Sequence, residues 1–287
     1  NISETDLSVD DAVYQEENSN NDIEDVSPKA TNESNSVGND DKEVIPTSTI
    51  TSSPTLTPNP TPTNTPTNTP TNIPVISLED SKESKLDFNT LDKLDNTSYG
   101  WYITLNKNHE VPKIPSKAKE LLKKYDGIYV GDTSRKEVYL TFDEGYENGY
   151  TSQILDTLKG NDVKAIFFVT GYYVNKNTGL VRRMLDEGHK VGSHTVKHPP
   201  LPEVDNARLE EELYEFDLKF NKMFGTSFEY LRPPAGVYSE RTLAAAEQLG
   251  YKSVFWSFAY RDWEVDNQKG ADYAYQQVMN NLHNGAV

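Results

Sequence analysis

The sequence predicts an α/β fold with a parallel sheet, open or closed into a barrel, from about residue 96 onward. Three observations carry that expectation. Residues 163–170, VKAIFFVT, form one apolar run of strand length, the pattern of a strand buried on both faces. Short apolar runs and segments of helical spacing alternate from residue 136 to the last residue, as in repeated strand–helix–strand units. Polar residues able to do chemistry follow the short runs directly, and in such folds ligands gather at the C-terminal strand ends.

The segments ahead of that region predict no packed core. The chain has 287 residues, no cysteine and a net charge of −17. Residues 1–45 hold thirteen acidic side chains against two basic ones, with scattered apolar residues and a single aromatic one. Such a stretch cannot bury enough surface to offset its ordering entropy, so it is expected to be disordered. Residues 46–75 are rich in Pro, Thr and Asn and contain the repeat TPTNTPTNTPTN. Proline removes backbone donors and favours extended chain, so this segment is expected to act as a spacer. Residues 76–95 form a polar approach, and Tyr99, Trp101 and Tyr102 announce a domain spanning 96–287.

Within that domain the pattern predicts strands at 136–142, 163–170, 189–192, 228–231 and 251–257. Helices are expected at 149–159, 179–187, 206–224, 239–249 and 271–282. The chain stops at NGAV, where Ala286 and Val287 resemble the opening of a further strand, and a core element is expected to be missing. The acidic balance, without a basic stripe, argues against a nucleic-acid partner. Without thiols, any metal must be held by His, Asp or Glu. No run reaches the ~18 apolar residues of a membrane span, so an anchor or signal segment is expected only outside the given chain.

Each expected strand end offers candidates. The first gives Asp143 and Glu144. The third runs into GSHTVKHPP, with His194 and His198 four apart; Pro199 pushes His198 out of helical geometry, so the pair belongs to a loop or a helix end. The fourth ends in LRPPAG, where two prolines stiffen the backbone behind Arg232. The fifth leads to WSFAYRDW, with Asp262 and Trp263. Taken singly, an Asp-Glu pair is more often a solvated loop, an isolated His-x-x-x-His is weak, and Trp263 is core. Their recurrence at successive strand ends makes accident a poor account. His109, His189 and His283 receive no catalytic role; His189 is expected to pack.

These residues resemble the polysaccharide deacetylase family, the NodB-homology carbohydrate esterases, over about 99–287. TFDEG, HTVKH, RPPAG and RDW are similar to four of its motifs, in order. TFDEGYENGY, KNHEVP and VFWSFAYRDW are most similar to the sporulation branch, which deacetylates N-acetylmuramic acid on the way to the muramic δ-lactam of spore cortex. The resemblance implies an irregular (β/α) barrel of fewer than eight strands and a divalent metal, zinc. It makes Asp143 the general base, oriented and kept ionised by Arg232. His194 and His198 become metal ligands, joined by Glu144, and Asp262 becomes a catalytic acid-pair residue. Trp263 would wall the sugar groove, which Tyr146, Tyr172, Tyr173 and Tyr260 are further candidates to line. The implied partners are peptidoglycan glycan strands, outside the cytoplasm, in the cell envelope or spore cortex.

Two departures accompany the resemblance. Glu144 stands where the family usually has Asp, one methylene shorter. The Leu-x-His motif that ends family members, whose histidine protonates the departing amine and pairs with the aspartate at position 262, is absent from the given chain. That chain is therefore expected to hydrolyse poorly. A carbohydrate-binding protein on the same fold is the competing reading. A two-carboxylate glycosidase is disfavoured, because adjacent Asp143 and Glu144 cannot easily flank a glycosidic bond at ~5–9 Å. No Gly-x-Ser-x-Gly elbow supports a serine hydrolase.

Overall fold

The computed structural model describes residues 85–105 and 108–287. The expected acidic tail, the spacer and the first part of the approach segment lie outside the described residues.

Five parallel strands form the central sheet, in the order β2 (Thr141–Glu144), β3 (Ile166–Val169), β4 (Lys190–Ser193), β5 (Tyr230–Leu231) and β7 (Lys252–Ser253). Every crossover carries helix, as parallel pairing requires. These are α3 (Thr151–Gly160); α4 (Gly171–Lys176) with α5 (Thr178–Asp186); α6 (Asn206–Glu210), a π-helical turn (Glu211–Glu215) and α7 (Phe216–Phe224); and α8 (Glu240–Gln248). A final helix, α9 (Gly270–Asn281), follows β7. Ahead of the sheet come α1 (Phe88–Leu91), β1 (Tyr99–Gly100) and α2 (Ser116–Lys124), and β1 pairs antiparallel with β6 (Val237–Tyr238).

Single-residue bridges carry the pairing around the other side. Ile128 bridges Val254, Val130 bridges Ala286, and Ala286 bridges Val138 on the run into β2. The pairings thus return to the strand where they began, and the fold is an irregular (β/α) barrel with fewer than eight strands. Ala286 and Val287 fill this gap: Tyr139 N donates to Ala286 O at 2.8 Å and Ser257 N to Val287 O at 2.9 Å.

The interior is aromatic where the strands meet the approach segment. Trp101 stacks on Phe255 with ring centres 4.4 Å apart and donates Nε1–H to Trp256 O at 2.9 Å. Phe167, Phe168 and Val169 are fully buried, as the unbroken apolar run requires. Each such side chain contributes about 1.5–3 kcal/mol through burial.

Several elements differ from the sequence pattern. The core reaches back to Leu86 and Leu91, ahead of the expected boundary at Asn96. These two leucines sit in polar sequence, and α1 forms around them because Asp87 accepts from Asn89 N at its N-terminus. β5 and β7 are only two residues long; in β5 the ladder ends where Pro233 offers no N–H. The helix expected at 206–224 is continuous but contains the π-helical turn.

Candidate active site at the strand ends

Parallel register brings the chemistry together. Asp143 lies opposite Phe168, Val169 opposite Ser193, and Ser193 opposite Leu231. The strands thus end side by side, and the next residues emerge at one mouth. His194 N donates to Val169 O and Arg232 N to Ser193 O, each at 2.9 Å, so both side chains are fixed at their roots by the ladder itself.

Arg232 is only 4% exposed, with its guanidinium over the rings of Phe168 (4.5 Å) and Trp256 (5.3 Å). Its Nη2 donates to Thr141 Oγ1 at 2.9 Å and its Nη1 lies 3.5 Å from Asp143 Oδ1. Burial pulls the guanidinium pKa down and the Asp143 charge opposes it. A buried cation beside a carboxylate of 40% side-chain exposure fixes which way that carboxylate faces.

The histidines share a strained loop. Thr195 and His198 have φ of 65° and 59°, the left-handed region that costs side-chain-bearing residues roughly 1–2 kcal/mol each. The loop returns His198 onto His194, with Nε2 to Nε2 at 3.1 Å. Asp143 Oδ2 is 3.9 Å from His194 Nε2. Burial lowers both imidazole pKa values, to about 4 for His198, where His194 adds to the effect; Asp143 opposes the shift in both.

This donor set fits a divalent cation. His194 Nδ1 is 2.9 Å from Arg232 O, a carbonyl that can only accept, so Nδ1 carries the proton and Nε2 keeps its lone pair. Both rings are neutral at pH 7, as ligands must be. Two nitrogens each ~2.0–2.1 Å from one zinc-sized ion lie about 3–3.4 Å apart.

Glu144 is not part of this set. Successive strand residues face opposite sides. While Asp143 faces the histidines, Glu144 is buried on the far side, among Glu147, Thr151 and Tyr173. Burial first, then Glu147 and Asp143, push its pKa up to about 7. Among the described residues no three His, Asp or Glu side chains gather as a ligand set. The structure brings His194 and His198 together, while Glu144, expected beside them, is turned to the other face of the strand.

Asp262 stands close enough to Asp143 for that charge, after burial, to raise its pKa, though its residue surface stays exposed. Trp263 (57%) and Tyr146 (59%) are exposed, as is Tyr172, whereas Tyr173 is core and leaves the list of groove candidates. Tyr260 is half-buried against Tyr273. His189 packs as expected, its Nδ1 accepting from Ala165 N, and His283 contacts Ser257 Oγ at 2.9 Å.

The pattern at strand ends missed Thr141, Phe168 and Trp256 around Arg232, and Glu212 behind the histidine loop. A charge at 212, three residues after Leu209 and four before Phe216, lies on the helix's apolar stripe; that misplaced charge was the available signal.

Residues 130–254 match the family described as polysaccharide deacetylase. The peptidoglycan-N-acetylmuramic acid deacetylase PdaA of Bacillus subtilis is 42% identical over 193 residues, covering 67% of this chain and 73% of that protein. Its solved structure, a family 4 carbohydrate esterase, superposes with a TM-score of 0.65 over 67% of this chain and 83% of that one. An uncharacterized 30.6 kDa protein of Geobacillus stearothermophilus is 48% identical over 65% of this chain and 71% of its own length. A family 4 pseudoenzyme from Bacillus anthracis is 27% identical with a TM-score of 0.52, over 56% of each chain.

Proposed function

The chain belongs to the polysaccharide deacetylase family, hydrolases of carbon–nitrogen bonds other than peptide bonds, and we propose that it deacetylates N-acetylmuramic acid in peptidoglycan, with zinc as its metal. One observation carries the reading: Asp143, the His194–His198 pair and Arg232 converge from three strand ends with closest approaches of 3.1–3.9 Å. Muramic acid rather than glucosamine rests on the likeness to PdaA.

His194 and His198 would hold the ion, with water and substrate completing its shell. A divalent cation supplies acidity to bound water and polarises a carbonyl. Asp143 takes a proton as the water oxygen bonds to the acetamide carbon; the C–N bond then breaks as that proton passes to the sugar nitrogen, giving acetic acid and the sugar amine. Arg232, locked by Thr141 and two aromatic faces, sets the direction of the Asp143 carboxylate throughout. Asp262, with its raised affinity for a proton, is suited to proton traffic near the leaving amine. Trp263 and Tyr146 offer exposed ring faces to sugar.

Asp143 keeps 40% side-chain exposure and Trp263 and Tyr146 are exposed, which suits approach by a polymer strand. Concavities of about 250 Å³ beside His189 and about 300 Å³ beside His109 involve none of these residues. Glycan strands are thus the proposed partner, and the cell envelope, including spore cortex, the proposed location. Among the described residues no helix is long and apolar enough to cross a membrane.

The turned-away Glu144 favours one second reading, a carbohydrate-binding protein without turnover. Metal content and acetate release from peptidoglycan, compared with Asp143→Asn, separate the two. Metal-dependent acetate release lost in the variant supports the deacetylase; bound glycan without acetate supports the binder.

A further inference from the structure

We propose that Glu212, outside every motif of the site, is a positioning residue that holds the His194–His198 loop in its ligand-presenting shape. The proposal rests on the metal-dependent reading above.

With Thr195 and His198 both left-handed, the amides of Val196 and Lys197 have no partner inside the loop. Both converge on one oxygen, Glu212 Oε2, at 2.6 and 2.9 Å. The other oxygen accepts from Arg208 Nη2, and the carboxylate is 0% exposed. A buried carboxylate with three donors is an anchor, since any movement of the loop would strand the charge and the amides together. Glu212 lies in the π-helical turn, an irregularity common at functional sites.

The loop is gripped from other directions too. Gly171 N donates to Thr195 O at 3.0 Å, and His198 N donates to Thr195 Oγ1 at 3.0 Å. These contacts, with Thr195 N donating to Ser193 Oγ at 3.2 Å, place residue 195; Glu212 takes the next two amides, those of Val196 and Lys197. Its link to the ion runs through the backbone, so the property it controls is the relation between the two imidazoles.

The test uses cobalt(II) and zinc on the whole chain. Glu212→Gln keeps the volume but sets an NH₂ group against either Arg208 or the amides. It should weaken metal affinity about 10–100-fold, the usual range for an outer-shell partner, and shift the visible cobalt bands. Leu209→Ala, which opens a cavity in the same helix and removes none of the hydrogen bonds that hold the loop, should lower Tm yet keep metal affinity within about threefold. Should Glu212→Gln not fold, Glu212→Asp carries the same expectation, its carboxylate drawn back from the amides.

Equal affinity and an unchanged cobalt spectrum in the Glu212 variant would overturn the proposal, as would parallel affinity losses in Leu209→Ala. A wild-type chain that binds neither metal overturns the metal-dependent reading itself, and this proposal with it.

Discussion

Replacing Glu144 with glutamine removes a charge that the fold holds against its preference. Glu144 is 8% exposed, and burial together with Glu147 and Asp143 raises the pKa of its carboxyl from 4.5 to about 7. Between those values the folded state keeps a proton that the unfolded chain has released, so stability falls as pH rises through that window. The gap between the two values corresponds to a loss of about 3 kcal/mol, absent below pH 4.5 and complete above pH 7. The glutamine amide does not titrate. Urea denaturation of both proteins from pH 4 to 8 should therefore give equal stabilities at the acid end and a variant more stable by up to about 3 kcal/mol at pH 8. Subtracting one protein from the other cancels every unrelated titration. A difference independent of pH, or one that shrinks towards pH 8, would show that burial does not hold this carboxyl in its protonated form. Metal affinity should stay within about threefold, because Glu144 faces away from the histidines; a large loss would return it to the ligand set.

Three further substitutions probe the scaffold. Arg232→Lys loses the planar group stacked on Phe168 and Trp256 and should lower kcat about tenfold or more with little change in KM, measured as acetate release. Gly171→Ala would place a Cβ 3.1 Å from Val196 Cα, forcing the histidine loop outward; isothermal titration should show zinc affinity reduced about tenfold, and denaturation a loss of about 1–3 kcal/mol. Trp101→Phe strands Trp256 O without its donor and should cost about 1–3 kcal/mol in urea denaturation.

Much of the site was legible because parallel sheets have a directional rule. Asp143, His194 and Arg232 each follow a short apolar run, and the register brings those run ends together. His198 was legible as a loop residue through Pro199, since a proline restricts its predecessor, and the structure gives His198 a left-handed backbone. Glu144 was expected beside the histidines although the rule that turns it from them, alternation along a strand, is local and readable. The family's usual Asp at that position outweighed it. Glu212 was hidden because its partners lie fifteen and sixteen residues earlier, across a loop, and only tertiary structure makes that pairing. The early boundary had another cause: Leu86 and Leu91 are too sparse for periodicity to show, yet the core consumes both.

Above all, the mouth formed by Asp143, His194, His198 and Arg232 is proposed to cleave the acetamide of muramic acid. Mass spectrometry of peptide-free glycan strands, incubated with near-stoichiometric zinc-loaded protein, addresses this directly. Muramic acid residues lighter by one acetyl group, with glucosamine untouched and no change in the presence of Asp143→Asn, are the expected result. Fully acetylated strands, or equal loss with the Asp143 variant, would contradict it.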